Sequence, residues 1–206
     1  MRRAIGLARS HMGATWPNPT VGCVIAQGDE VVGEAVTAPG GRPHAEDLAL
    51  SAAGSGANGA TAYITLEPCA KRSSPGFSCT DLLIAAGVKR VVIACDDASP
   101  LAAGLGEKRL DDNAILVETG VLADEAAPLY AGYLHRLATG RPRVEASETG
   151  RGHDARFEPK PGESLLAALE RHGGTGHTRL WVEPNGPLAK ALSQAGLLEA
   201  NPFEGV

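Results

Sequence analysis

The sequence predicts an α/β protein, a three-layer sandwich, with a short second segment behind it. Two observations carry this prediction. From the N-terminus to about residue 139, strand-length runs alternate with runs of helical period. Gly or Pro marks most junctions between them, drawn from 26 Gly and 14 Pro in the chain. Hydrophobic residues make up 43% of the chain and aromatic residues only 4%, so the core is built from Ala, Val, Leu and Ile.

The elements follow in order. Residues 2–13 read as an amphipathic helix, with Ala4, Ile5, Leu7 and Ala8 on one face. Trp16-Pro17-Asn18-Pro19 is a turn or extended loop, because two prolines forbid regular helix. Val21 to Ile25 and Glu30 to Val36 form a β-hairpin around Gln27-Gly28-Asp29. A Gly/Pro loop from Pro39 to Pro43 opens a helix over His44 to Ala53. Ala60 to Leu66 is a strand, Cys69 to Ser78 a loop, and Thr80 to Ala86 a helix closed by Gly87. Val88 to Cys95 is a strongly apolar strand. Residues 106–112 form a short helix, Ala114 to Glu118 a strand, and Ala123 to Thr139 a long helix.

At Gly140-Arg141-Pro142 the texture changes. Residues 145–163 are polar and without a period, and are expected as a linker or poorly ordered segment. Beyond them lie a helix (Leu165 to Arg171), a short strand (Arg179 to Val182) and a helix (Leu188 to Leu198). The domains are therefore expected as 1–143 and 144–206, the second too small to bury a core unaided.

Bulk properties narrow the function. A net charge of −5 argues against a nucleic-acid partner, which calls for a basic stripe. No apolar run reaches about 18 residues, so no membrane span is expected. Four cysteines in 206 residues are not a disulfide framework. The expected compartment is the reducing cytoplasm, where thiolates stay free to bind metal.

His44-Ala45-Glu46, Pro68-Cys69 and Cys79 carry the chemistry. A catalytic zinc takes about three protein ligands and leaves one position for water. His44, Cys69 and Cys79 supply that count. Glu46 then stays off the metal and moves protons, the arrangement of zinc deaminases. Cys79 sits where a helix begins, and the positive end of its dipole favours a thiolate. A structural zinc is the alternative, but it calls for a fourth strong ligand. Cys23 and Cys95 lie in apolar strands and read as buried, inert thiols.

Several stretches then resemble one family. Pro17-Asn18-Pro19-Thr20-Val21-Gly22-Cys23-Val24-Ile25 resembles the PNPxVGCVIV run of the riboflavin-biosynthesis deaminase–reductases. So do Pro43-His44-Ala45-Glu46, Thr65-Leu66-Glu67-Pro68-Cys69 and Ala85-Ala86-Gly87-Val88-Lys89-Arg90-Val91-Val92. The resemblance covers roughly residues 2–143. It implies a cytidine deaminase-like α/β/α sandwich with a mixed sheet. It implies Zn2+ held by His44, Cys69 and Cys79, Glu46 as proton shuttle, and Asn18 as a pyrimidine contact. The implied substrate is a phosphoribosylated aminopyrimidine, 2,5-diamino-6-(5-phosphoribosylamino)pyrimidin-4(3H)-one, converted to 5-amino-6-(5-phosphoribosylamino)uracil and ammonia.

There are departures. Thr37 stands where the family usually has a histidine. The loop Cys69 to Cys79 is one residue longer than the family's CxHxGRTPPC. Lys71, Arg72, Ser73 and Ser74 in that loop are candidates to hold a phosphate by charge-assisted hydrogen bonds. A deaminase of another base, nucleoside or nucleotide, and an idle zinc-binding scaffold, stand as alternatives.

The tail resembles a reductase with its middle removed. Leu180 to Leu188 resembles a late EGGPxL segment, with Pro184-Asn185 in place of Gly-Gly. No reductase activity is expected, a separate reductase would take the product, and the tail's apolar helices are a candidate packing or homo-oligomer surface.

Overall fold

A computed structural model describes residues 1–71 and 76–203. Helix α1 (Arg2–Ser10) leads to the hairpin β1 (Gly22–Gln27) and β2 (Glu30–Val36). Helix α2 (Ala45–Ala53), strand β3 (Thr61–Leu66), helix α3 (Cys79–Ala85) and strand β4 (Arg90–Cys95) follow. Then come α4 (Leu105–Asp111), β5 (Leu116–Glu118) and the long α5 (Ala123–Thr139). The first sheet has the order β2-β1-β3-β4-β5. β1 is antiparallel to β2 and β3, while β3, β4 and β5 run parallel, so the sheet is mixed.

Register places helices on both faces. Gly22 and Ile25 of β1 point to opposite sides, and Ile25 pairs with Gly33 of β2. A Cβ on Gly22 would lie 2.0 Å from the Ala4 carbonyl oxygen, so α1 rests directly on one face. A Cβ on Gly33 would lie 2.4 Å from the Ala49 carbonyl oxygen, so α2 rests on the other. Missing side chains thus let two helix backbones approach the sheet. Cys23, Ile25, Ala62, Ile64, Leu66, Val91 and Ile93 form the core between β1, β3 and β4 and the α2 layer. On the opposite face α5 packs on β4 and α1, and its buried Tyr130 hydroxyl donates to Thr65 Oγ1.

Helix ends follow local chemistry. Pro43 precedes His44, the N-cap of α2, whose N–H donates to Asp47 Oδ2 at 3.2 Å. Ser78 caps α3 by accepting from Asp81 N at 3.1 Å, and its own N–H donates to Asp81 Oδ2 at 2.9 Å. α5 ends on Gly140 at φ 73°, the left-handed conformation that suits glycine.

The tail departs from the expected linker. Residues 145–163 contribute to β6 (Arg143–Ala146) and hold β7 (Ala155–Arg156). With α6 (Leu165–Gly174), β8 (Arg179–Val182), α7 (Pro187–Gln194) and β9 (Leu198–Glu199) they build a second sheet, ordered β7-β8-β6-β9 and wholly parallel. Val144, Phe157, Leu169, Leu180, Val182 and Leu192 are buried in a second core, which is built against the first unit, with Gly132 of α5 packed on Thr178 and Arg179. Glu145 is the residue most at odds with a polar linker. It reads as a loop residue, yet it is fully buried and satisfied by charge: Arg179 donates to it, His153 Nε2 lies 3.1 Å away and Arg143 Nε 3.5 Å. No helix among the described residues is long and apolar enough to cross a membrane.

Candidate active site

Three chain segments meet where β3 and β4 end. His44 stands at the N-terminus of α2, Cys69 follows β3, and Cys79 is the first residue of α3. Each segment is aimed by an element of the core, so the site inherits the rigidity of the sheet. His44 Nδ1 lies 3.2 Å from Cys79 Sγ and 3.9 Å from Cys69 Sγ. All three atoms fall within 4.8 Å of one another. A tetrahedral zinc with bonds of about 2.3 Å to sulfur and about 2.0–2.1 Å to nitrogen spaces N and S about 3.6 Å apart. The two observed N···S separations bracket that value, so the donor set fits zinc in type and in spacing.

The electrostatics also suit a cation. Cys69 is drawn down to about 4, first by a hydrogen bond from the Cys79 thiol, against burial, and then by His44 and the Cys79 N–H. That N–H donates to Cys69 Sγ at 3.4 Å. The Cys79 thiol is pushed up by the Cys69 thiolate and by burial. The Cys69 sulfur, the Cys79 sulfur and the His44 imidazole are the soft and borderline donors that zinc takes.

Glu46 is buried beside them, only 3% exposed, and lines the pocket. Burial raises its pKa to about 7, with Cys69 adding to the rise and His44 opposing it. Asn18 and Lys71 line the same pocket. Asn18 Nδ2 donates to the Gly41 carbonyl at 3.2 Å, which fixes the amide at the rim. Lys71 is exposed, and its N–H donates to the Leu101 carbonyl at 3.1 Å. Arg72, Ser73 and Ser74 lie outside the described residues. Thr37 is buried at the pocket, its hydroxyl accepting from Val21 N at 3.0 Å and donating to Val21 O at 3.3 Å. Cys23 is buried with a pKa pushed well up by burial, and half-buried Cys95 is pushed up to about 11 by the same cause. Neither belongs to the cluster.

Sequence reasoning missed Arg42, Asp97, Ser99 and Tyr133, which also line the pocket. Asp97 is buried and accepts from Ser99 N at 2.8 Å and Ser99 Oγ at 2.9 Å. Burial nonetheless lifts its pKa above the ordinary carboxylate value. Its signal was positional. Asp97 follows the end of β4 as Cys69 follows the parallel β3, and ligands of open α/β sheets gather at carboxyl ends of strands. Tyr133, from α5, is pushed up to about 12 by burial and carried no sequence signal.

The family model described as the cytidine and deoxycytidylate deaminase zinc-binding region matches residues 1–95. The His44, Cys69 and Cys79 donors agree with that match, and zinc is the cofactor of this domain. Over 166 residues the chain is 46% identical to riboflavin biosynthesis protein RibD of Escherichia coli, covering 80% of this chain and 44% of that protein. It is 45% identical over 143 residues to the chloroplastic riboflavin biosynthesis protein PYRD of Zea mays, covering 68% and 36%. The chain thus spans less than half the length of these relatives. Among solved structures, RibD of Acinetobacter baumannii superposes with a TM-score of 0.68 at 29% identity, covering 97% of this chain and 79% of that one. The deaminase/reductase of Thermotoga maritima gives 0.66 at 34% identity, covering 81% and 48%. Residues 1–95 thus match a deaminase zinc-binding region, and over most of its length the chain is similar to the riboflavin-biosynthesis RibD proteins.

Proposed function

We propose that this chain is a zinc-dependent hydrolytic deaminase acting on 2,5-diamino-6-(5-phosphoribosylamino)pyrimidin-4(3H)-one, with residues 1–143 as the catalytic unit. One observation carries the reading: a His/Cys/Cys donor set within 4.8 Å, next to a buried glutamate, in a pocket that also holds Asn18. His44, Cys69 and Cys79 would hold the metal. When bound, zinc would supply Lewis acidity that lowers the pKa of a water toward neutrality.

The rest is done by the chain. Asn18, an amide able both to donate and to accept, orients the pyrimidine edge over the site. The water oxygen adds to the ring carbon that bears the exocyclic amine. Glu46 takes the water proton and gives it to the adjacent ring nitrogen. It then takes the proton of the new hydroxyl and delivers it to the amine as the C–N bond breaks, so ammonia leaves, a ring carbonyl remains and the first proton stays on the ring nitrogen. Burial of the Glu46 carboxyl favours its neutral form, which suits a group that takes up a proton and gives it back. Cationic Arg42 and Lys71 line the pocket and suit a phosphate, with Arg72, Ser73 and Ser74 as further candidates from the same loop.

The product then passes to a separate reductase. Four free cysteines, two of them metal donors, fit a reducing cytoplasm. Thr37 favours one second reading, a deaminase of another aminated base. Its hydroxyl is spent on Val21, so it does not replace the side chain that the relatives place there.

The test is ammonia release by zinc-loaded protein given the diaminopyrimidinone ribotide. Glu46→Gln should keep zinc and lose about 10²–10⁴-fold in turnover, the usual share of general acid–base catalysis. Glu46-dependent release supports the substrate. No release at one zinc per chain moves the reading to other amino-pyrimidines and amino-purines. Release unaffected by Glu46→Gln defeats the mechanism.

A further inference from the structure

The loop between α1 and β1 has two faces. Its inner face gives Asn18 and Pro19 to the pocket. Its outer face is covered by the tail. The Trp16 ring packs on His177 with centroids 4.3 Å apart, tilted by 32°. Gly176, at φ +103°, lies so close to Pro17 that a Cβ would sit 2.8 Å from the Pro17 Cβ. Gly13 packs on the His153 carbonyl, where a Cβ would come within 2.4 Å. Arg179 Nη1 reaches Met12 Sδ at 3.7 Å. Asp154, Thr178 and Arg179 border a small cavity together with Thr15, Asn18 and Tyr133. Tyr133 borders the active-site pocket as well, so that cavity lies directly behind the site.

The loop needs such support. Pro17 and Pro19 have no N–H to donate, so the stretch around Asn18 has few bonds with which to brace itself. Asn18 N donates to Thr15 O at 3.2 Å and Gly40 N to Ala14 O at 2.9 Å. His177 is in turn backed by Thr175 Oγ1 at 2.8 Å and His172 Nδ1 at 3.3 Å. Thr15 Oγ1 donates to Asn18 O at 3.1 Å and Asn18 Nδ2 to Gly41 O at 3.2 Å on the inner side, and the start of β8 backs the outer side, where the two prolines give the loop no N–H bonds of its own.

We propose that the tail segment 176–179, with His177 at its centre, is a positioning element for Asn18, holding the loop in the geometry that accepts the pyrimidine. The tail then governs substrate affinity without touching the reaction. His177 is not among the residues lining the pocket. The consequence for substrate rests on the proposed role of Asn18.

The experiment compares holoprotein of full length with His177→Ala, His177→Phe, Trp16→Ala and the Trp16/His177 double alanine variant. Hydrogen exchange of the Asn18 amide reads the loop, and kcat and KM for ammonia release read the consequence. His177→Ala should speed exchange at Asn18 and leave residues 45–53 unchanged. It should raise KM roughly 3- to 10-fold, the factor carried by one lost aromatic contact, with kcat within about 2-fold. His177→Phe, which keeps a ring on Trp16, should restore both. The double variant should cost no more than either single, the signature of one shared contact. Unchanged exchange at Asn18 overturns the proposal whatever the kinetics. Faster exchange with unchanged KM, or a fall in kcat alone, overturns the link to substrate. Wild-type protein that holds zinc but releases no ammonia defeats the proposed substrate, and the exchange arm still decides whether the tail holds the loop.

Discussion

Replacing Glu145 by Ala should destabilise the tail. Its carboxylate has no exposed surface, the Arg179 side chain is 4% exposed, and the two are bonded. His153 is equally buried and lies 3.1 Å from the same oxygen. Arg179 also has a buried Nε with no hydrogen-bond partner among the described residues, and Glu145 is the carboxylate bonded to its guanidinium. Deleting the carboxylate leaves a guanidinium in the interior, beside Met12 Sδ and the Phe203 ring, 5.0 Å from its centre. Breaking a buried pair from one side costs about 3–5 kcal/mol. At about 2–4 °C per kcal/mol for a chain of this size, the melting temperature should fall by roughly 6–20 °C. Urea unfolding followed by Trp181 fluorescence measures it, because Trp181 lies on β8 and Trp16 is removed by substitution to Phe. The Glu145→Met/Arg179→Met pair, which removes both charges, should recover most of the loss. A cost below about 1 kcal/mol for Glu145→Ala would mean that water reaches the cluster, and the argument from burial would fail.

The same residue explains what the sequence hid. Helices and strands up to Thr139 were legible because each carried its own period and its own punctuation: Gly87 and Gly140 close helices at φ 70° and 73°. The metal cluster was legible because residue type alone restricts His44, Cys69 and Cys79 to few roles. The tail was not. β7 and β9 have two residues each, too few to show a period of two, and Glu145 interrupts β6 with a charge whose partners are 8 and 34 residues away. A buried ion pair is a tertiary fact, invisible to any window along the chain. Asp97 and Tyr133 were missed for a related reason. They reach the pocket because of where β4 ends and how α5 crosses the sheet, and topology supplies that.

Cys79→Ser should lower zinc content well below one per chain, measured by atomic absorption after dialysis, because a neutral hydroxyl replaces a thiolate at the start of α3. Full zinc retention would exclude Cys79 as a ligand. Gly33→Ala should destabilise by about 1–3 kcal/mol in urea, since its methyl would sit 2.4 Å from the Ala49 carbonyl and force α2 off the sheet. A neutral effect would mean that α2 rides looser than its packing implies. The last prediction concerns acid. Burial pushes the Glu145 pKa up, but the bonds from His153 and Arg179 outweigh it and hold the carboxyl below its ordinary value. A group depressed in the folded state binds its proton more readily when unfolded, so its stabilisation is complete above the ordinary value of about 4.3. That stabilisation is lost as pH falls through the folded value. The stability gap between wild type and Glu145→Ala should therefore be constant from pH 8 to about 5 and close below about 4. A gap that opens as the pH falls would require Glu145 to be protonated in the native tail, which is incompatible with its bond to Arg179.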